Sequence, residues 1–405
     1  MGSRSWFSWT LFSCTVTHVF VHVFTFMHIA LIPVFMAEFG LSIFESGLLV
    51  SIPLVLSVSI SLPYGLLADR IGPRKLLAGS LLLSGFSGLA IALANDFYAL
   101  LLPLTLISLS STLYHPPALS IVSELLPQNQ RNKALGIHGA GGASGVAIGP
   151  ITLGVLMGVL GWRITYLLWV LPIFLSILFL LKLPKASTVI NLNAGQKADP
   201  HVANEGGNPR TSRYGYGMLL VAMTINGIGG QSVSTYMTTY LVSNRGLTES
   251  IASLVYGLNA LIAVLGSLTG GYLADFFGSK RWMVIAYVGG LTVLTGVYLG
   301  PLWALIIFYL MGGYFGGSTM GPSSSLVAEF SAKERRGLAY TIFMLPFSLM
   351  GAVSPVIAAK IIESYEIHAL FPFAIVLSMV SVFFLELMPG KKTRSASERA
   401  AASPP

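Results

Sequence analysis

The chain has 405 residues, 54% hydrophobic and only 9% charged, with a formal net charge of +8 and a mean hydropathy of +0.77. A soluble surface of this size carries roughly a quarter charged residues, so a soluble enzyme or nucleic-acid-binding domain is excluded and a polytopic membrane protein is implied. The single cysteine, Cys14, excludes an internal disulfide and a thiolate metal cluster.

Twelve apolar segments follow in chain order. The first six run about 10–36, 46–67, 76–95, 97–125, 133–160 and 163–183; the second six run about 214–243, 249–273, 282–300, 302–328, 336–361 and 368–388. The opening run is longer than the apolar core of a signal peptide and long enough to cross a bilayer, so it is expected to be the first membrane helix. Helices are expected because lipid-exposed backbone must satisfy its own hydrogen bonds, and these runs are too long and uniformly apolar for barrel strands. Residues 184–213 are polar and broken by Gly and Pro, which suits a linker, and the tail beyond Pro389 is basic and rich in Ala and Ser. The expected organisation is a six-helix bundle over 1–183, a cytoplasmic linker over 184–213, a second bundle over 214–388 and a cytoplasmic tail over 389–405.

With both termini cytoplasmic, every Lys and Arg of the 23 except Arg163, Arg245 and Lys360 falls on the cytoplasmic side. That bias is the positive-inside rule, and it gives the basic balance a topological meaning.

The two halves repeat each other. Gly40, Gly65, Asp69 and Gly72 recur at an offset of 206 as Gly246, Gly271, Asp275 and Gly278. Pro117, Glu124, Arg131 and Pro150 recur at 205 as Pro322, Glu329, Arg336 and Pro355. Duplicated six-helix units with parallel orientation are related by an axis along the membrane normal and enclose a central cavity.

Ionisable groups inside a bilayer are costly and usually functional, yet none of the 15 acids falls plainly at mid-depth. The titratable candidates there are His18 and His22, which share one face of the first helix, His115 in the fourth, and His138. Neutral hydrogen-bonding groups in the seventh segment, chiefly Asn226, Gln231 and Tyr236, match the first segment on the repeat and suit the orientation of a polar solute. A transition-metal site is disfavoured because no carboxylate or thiol shares the histidine faces, so neither metal nor cofactor is expected.

The stretch Gly65-Leu-Leu-Ala-Asp69-Arg70-Ile-Gly72-Pro73-Arg74-Lys75 resembles the loop between the second and third helices of the major facilitator superfamily, and the resemblance extends over essentially the whole chain. Gly136, Gly145, Gly149, Pro150 and Gly154 are similar to that family's antiporter motif, with Leu153 where a glycine is usual. Tyr114-His115-Pro116, His138 and Gly149-Pro150 look like its fosmidomycin-resistance branch, whose members export small drug-like or anionic solutes. The resemblance implies an all-α membrane protein of twelve helices in two pseudo-symmetric bundles, lodged in the plasma (inner) membrane. It further implies secondary active transport by alternating access, with proton-coupled export first and proton-coupled uptake of a small organic anion as the alternative. The first and fourth helices would line the cavity, and the Asp69 loop, its repeat and Arg131 would latch the cytoplasmic side. Gly145, Gly149 and Pro150 would seal the halves on the outer side. A monomer in lipid is expected, acting on a small molecule and protons, with no nucleic acid and no enzymatic activity.

Overall fold

In the computed structural model the described residues are 9–124, 131–183, 209–331 and 336–389, with side chains described for all of these except 61–70, 123–124, 131–132, 209–212, 336–341 and 343–347. Helices joined by short turns make up these segments. The first half comprises α1 (Trp9–Ala30), α2 (Ile32–Phe39), α3 (Ile43–Ile71), α4 (Pro73–Ala92), α5 (Phe97–Glu124) and α6 (Arg131–Leu180). The second comprises α7 (Pro209–Ser243), α8 (Glu249–Phe277), α9 (Ser279–Leu299), α10 (Leu302–Ser318), α11 (Met320–Phe330), α12 (Arg336–Tyr365) and, after a single 3₁₀ turn, α13 (Leu370–Leu387).

Twelve crossings result once two details are read correctly. Helix α6 spans 50 residues but doubles back at Gly161, whose φ of 76° only glycine adopts without strain, and so supplies the fifth and sixth crossings. The first crossing is α1 with α2, broken at Leu31, and the tenth is α10 with α11, broken at Thr319. Both breaks differ from the single helices expected, and each is followed within three residues by a proline, Pro33 and Pro322. Proline has no N–H to continue the helical ladder, and its ring crowds the carbonyl four residues back. Among the described residues nine helices are long and apolar enough to span a membrane, and large apolar side chains such as Val159, Phe276 and Leu171 lie outermost on the bundle.

The repeat read from the sequence has a geometric counterpart. Gly40 and Gly246, 206 apart, both take a left-handed φ, 64° and 69°; Gly72 and Gly278, again 206 apart, take 86° and 88°. The same register places Arg74 against the Leu183 carbonyl at the end of the sixth crossing and Lys280 against the Met388 carbonyl at the end of the twelfth, at 3.5 and 2.6 Å. A cation at a helix C-terminus satisfies an orphan carbonyl and the helix dipole together. The starts of α1 and α9 and the ends of α6 and α13 share one face of the bundle, which we call the terminal face; the opposite one is the far face.

The three cations that break the charge bias are all engaged. Arg163 pairs with Glu38, which also accepts from the Trp162 indole at 2.7 Å. Lys360 bonds Glu363 at 2.8 Å, and Arg245 donates to the Tyr240 hydroxyl at 2.9 Å.

Candidate functional site

The halves meet through helices that approach closely on the far-face side. Gly154 of α6 lies against Leu254 of α8, where even a Cβ would come within 2.6 Å, and Gly257 of α8 lies against Ile151. Proline chemistry supplies part of this seal. Pro33 cannot donate to the Ile29 carbonyl four residues back, and Thr238 of the opposite half donates to that carbonyl instead, at 3.3 Å. Tyr236 is wholly buried in the same region. Its hydroxyl lies 3.0 Å from the Ile43 carbonyl of the first half and 3.3 Å from the Pro355 carbonyl of its own, in a niche that Gly47 leaves open.

Toward the middle of the molecule the halves part around a cavity of about 320 Å³. Its wall comes from α1, α3 and α5 on one side and α7 and α12 on the other: Thr25, Leu54, Ser57, Val58, Ser108, Ser111 and Thr112 face Gly227, Gln231, Ser348 and Gly351. None of these residues is charged. Hydroxyls and one amide set in an apolar wall orient a polar solute without the desolvation cost of a fixed ion.

The predicted histidines do converge. Ring centroids of His18 and His22 are 4.9 Å apart, those of His18 and His115 5.0 Å, and those of His22 and His115 5.2 Å. His138 of α6 stacks on His18 at 4.2 Å, making a group of four. Helical spacing joins this group to the cavity. His18, His22 and Thr25 lie on one face of α1, and Ser108, Ser111, Thr112 and His115 on one face of α5, so the histidines continue the first-half wall one helical turn beyond the cavity lining, toward the terminal face.

Of the seventh-crossing candidates, only Gln231 reaches the cavity; its amide also donates to Thr235 at 3.3 Å. Asn226 turns to α13 and accepts from the Ser378 hydroxyl at 2.9 Å, and Tyr236 belongs to the seal. The glycines of α6 divide by position. Gly141, Gly145 and Gly149 pack on α1 within the first half, against Thr15, Val19 and Val23, whereas contact with the second half is made by Ala147, Ile151 and Gly154. Gly65 lies within α3; the side chains of Asp69, Arg70 and Arg131 lie outside the described residues. In the repeat of that loop Asp275 is exposed, with open space where Gly271 and Gly278 would bear a Cβ. Thr25, Ser57, Ser108 and Ser348 were not singled out by the sequence. The one available signal was a Ser or Thr on the helix face that also carries a histidine, and it holds for Thr25 and Ser108 alone.

The Major Facilitator Superfamily model matches the chain twice, over residues 14–247 and 219–405, one match per half with an overlap. The chain is 23% identical over 330 residues to the multidrug resistance protein MdtG of Salmonella paratyphi C (strain RKS4594), covering 80% of each. It is also 23% identical over 335 residues to MdtG of Escherichia fergusonii, again covering 80% of each. Among solved structures it is similar to a bacterial homologue of the human lysosomal transporter Spinster in an inward-facing, occupied conformation. That match has a TM-score of 0.79 and 17% identity, over 96% of this chain and 97% of the other. The nucleoside transporter NupG matches with a TM-score of 0.75 and 14% identity, over 95% and 100%. At these identities the likeness of the solved structures concerns the fold.

Proposed function

The chain belongs to the Major Facilitator Superfamily and is a multi-pass membrane transporter, not an enzyme; from that premise we propose that it exports a small drug-like solute in exchange for protons. The observation that carries this reading is the uncharged, hydroxyl-lined cavity of about 320 Å³ between the two halves, sealed toward the far face. A cavity of that size suits a small organic molecule, and walls drawn from both halves change its access when one half rocks on the other. Efflux follows the multidrug-resistance relatives and the antiporter-like glycines of α6. A gradient is the energy source because the sequence contains no phosphate-binding G-x4-G-K-[ST] motif.

Gln231 and the adjoining histidines His18, His22 and His115 form the binding surface in this reading. Residues 1–183 and 214–388 are the two rocking units, joined by 184–213, with both termini on the cytoplasmic side of the inner membrane. In this reading the cavity, closed at the far face, opens toward the cytoplasm. The loop of Gly65, Asp69, Arg70, Gly72 and Arg74, its repeat of Gly271, Asp275 and Gly278, and Arg131 form the cytoplasmic latch of the outward-open state. Asn226 and Tyr236 hold the seventh crossing in place, to α13 and to the seal respectively. Gly145, Gly149 and Pro150 set the close contact of α6 with α1 on which the seal is built.

The test is a thermal-shift screen of candidate solutes on detergent-purified protein, followed by counterflow of the hits in proteoliposomes containing a pH-sensitive dye. Exchange predicts that solute and proton move in opposite directions. Co-movement would replace export with symport, and solute movement with no proton signal would remove the proton from the cycle.

A further inference from the structure

We infer that His18, His22 and His115 form a binding site for a late first-row transition-metal ion, of which Zn²⁺ is the type, beside the central cavity on its terminal-face side. The imidazole nitrogens these residues can offer all lie within 4.8 Å of one another. Three nitrogens bound tetrahedrally at 2.0–2.1 Å stand about 3.3 Å apart, so the triad closes on an ion by no more than about 1.5 Å, which imidazole torsions supply.

The hydrogen bonding favours ligation. His18 Nδ1 lies 2.8 Å from the His138 carbonyl, which can only accept, so the proton sits on Nδ1 and the Nε2 lone pair is free. That Nε2 is buried without a hydrogen-bond partner, and so is Nδ1 of His22. A histidine that donates one ring N–H to a backbone carbonyl and keeps the other nitrogen unpartnered is the usual form of a metal ligand, because the carbonyl fixes both tautomer and orientation.

The His18 ring is also held rigidly. It lies near-parallel to the rings of Tyr114, at 5.4 Å, and His138, at 4.2 Å, which are themselves 6.3 Å apart and so crowd it from adjacent sides. Tyr114 is itself pinned by donating to the Cys14 carbonyl at 2.7 Å. Gly142 of α6 leaves the space the His18 ring occupies, since a Cβ there would collide with it. Ordering the ring in advance lowers the entropic cost of binding.

The donor set selects the ion. Three imidazoles without a carboxylate suit Zn²⁺, Co²⁺, Ni²⁺ or copper and reject Mg²⁺ and Ca²⁺, which need oxygen ligands. Neutral ligands leave the ion's charge uncompensated in a low dielectric, so the fourth position must carry hydroxide or an anionic group. His22 and His115 are only partly buried, and each stands one helical turn from a cavity-lining threonine, Thr25 and Thr112, so that position faces the cavity. The expectation of no metal rested on the missing carboxylate and thiol; a third imidazole from another helix makes them unnecessary.

The experiment uses the full chain, purified in detergent with a tag free of histidine, stripped with chelator and titrated with Co²⁺ and then Zn²⁺. One Co²⁺ per chain should bind with the visible absorption of a tetrahedral site, and Zn²⁺ should abolish that absorption. X-ray absorption of the zinc-loaded protein should show imidazole scattering from three ligands. His22→Gln and His115→Gln should each weaken Co²⁺ binding at least about 10-fold, while His368→Gln, in the 3₁₀ turn before α13, should not. Less than one equivalent of Co²⁺ bound at 100-fold excess, or a zinc spectrum without imidazole scattering, overturns the assignment even if the variants do not fold. Unchanged affinity in folded His22→Gln and His115→Gln protein overturns it as well. None of these readouts requires transport, so their failure leaves the export reading standing.

Discussion

Tyr236→Phe keeps the aromatic ring and removes a hydroxyl that, like that of Thr238, reaches across the seal from α7. That oxygen is 3.0 Å from the Ile43 carbonyl and 3.3 Å from the Pro355 carbonyl, but it has a single proton to donate. One net hydrogen bond is therefore at stake, about 1 kcal/mol in a range of about 0.5–1.5. The Ile43 carbonyl still accepts from the Ser46 hydroxyl at 2.7 Å, so no orphaned acceptor adds to the cost there. About 1 kcal/mol changes the ratio of far-face-closed to far-face-open molecules about 5-fold toward open. Spin labels at Ala37→Cys and Asn244→Cys, exposed positions on the two halves, report that ratio, and the fully buried Cys14 is not labelled. The longer-distance population should rise about 5-fold relative to the shorter one. Identical distance distributions in folded Tyr236 and Phe proteins would refute the role given to this hydroxyl.

Gly161→Ala forces an alanine to a φ of 76° at the turn between the fifth and sixth crossings; it should cost about 1–2 kcal/mol, read as a lower melting temperature with transport per folded molecule retained. Gly142→Ala would push a methyl onto the His18 ring and should destabilise the protein by about 1–3 kcal/mol, with the Co²⁺ absorption lost or shifted; an unchanged melt and spectrum would mean the ring is not held as described. Gln231→Leu removes the cavity's one amide and should weaken a hydrogen-bonding solute about 2- to 12-fold in thermal-shift titrations, as for one net hydrogen bond. Equal affinity in the parent and the leucine variant would place the solute elsewhere.

The fold was largely legible because membrane burial writes it into composition: the twelve runs, the charge bias and the repeat all follow from the cost of polar groups in hydrocarbon. The turn glycines Gly40, Gly72, Gly246 and Gly278 were readable for the same reason, since a chain that must reverse at the membrane surface uses residues that tolerate positive φ. The breaks at Leu31 and Thr319 were less so. A proline inside an apolar run can kink or break a helix, and Pro103 and Pro116 lie within an unbroken α5. His18 and His22 share a face by helical arithmetic, but that α5 and α6 bring His115 and His138 to that face depends on helix rotation, which sequence does not carry. Asn226 and Tyr236 show the same limit: their polarity was correctly noted, and only packing decides that one bonds α13 and the other closes the seal.

The most direct test of the account is to lock the seal. Gly158 and Ser250 face each other across the two halves, with the Ser250 hydroxyl 3.2 Å from where a Cβ on Gly158 would stand, which is within disulfide reach. The Gly158→Cys, Ser250→Cys protein should lose solute counterflow when oxidised and regain it when a reductant is added. Full counterflow in quantitatively cross-linked protein would contradict alternating access between these halves.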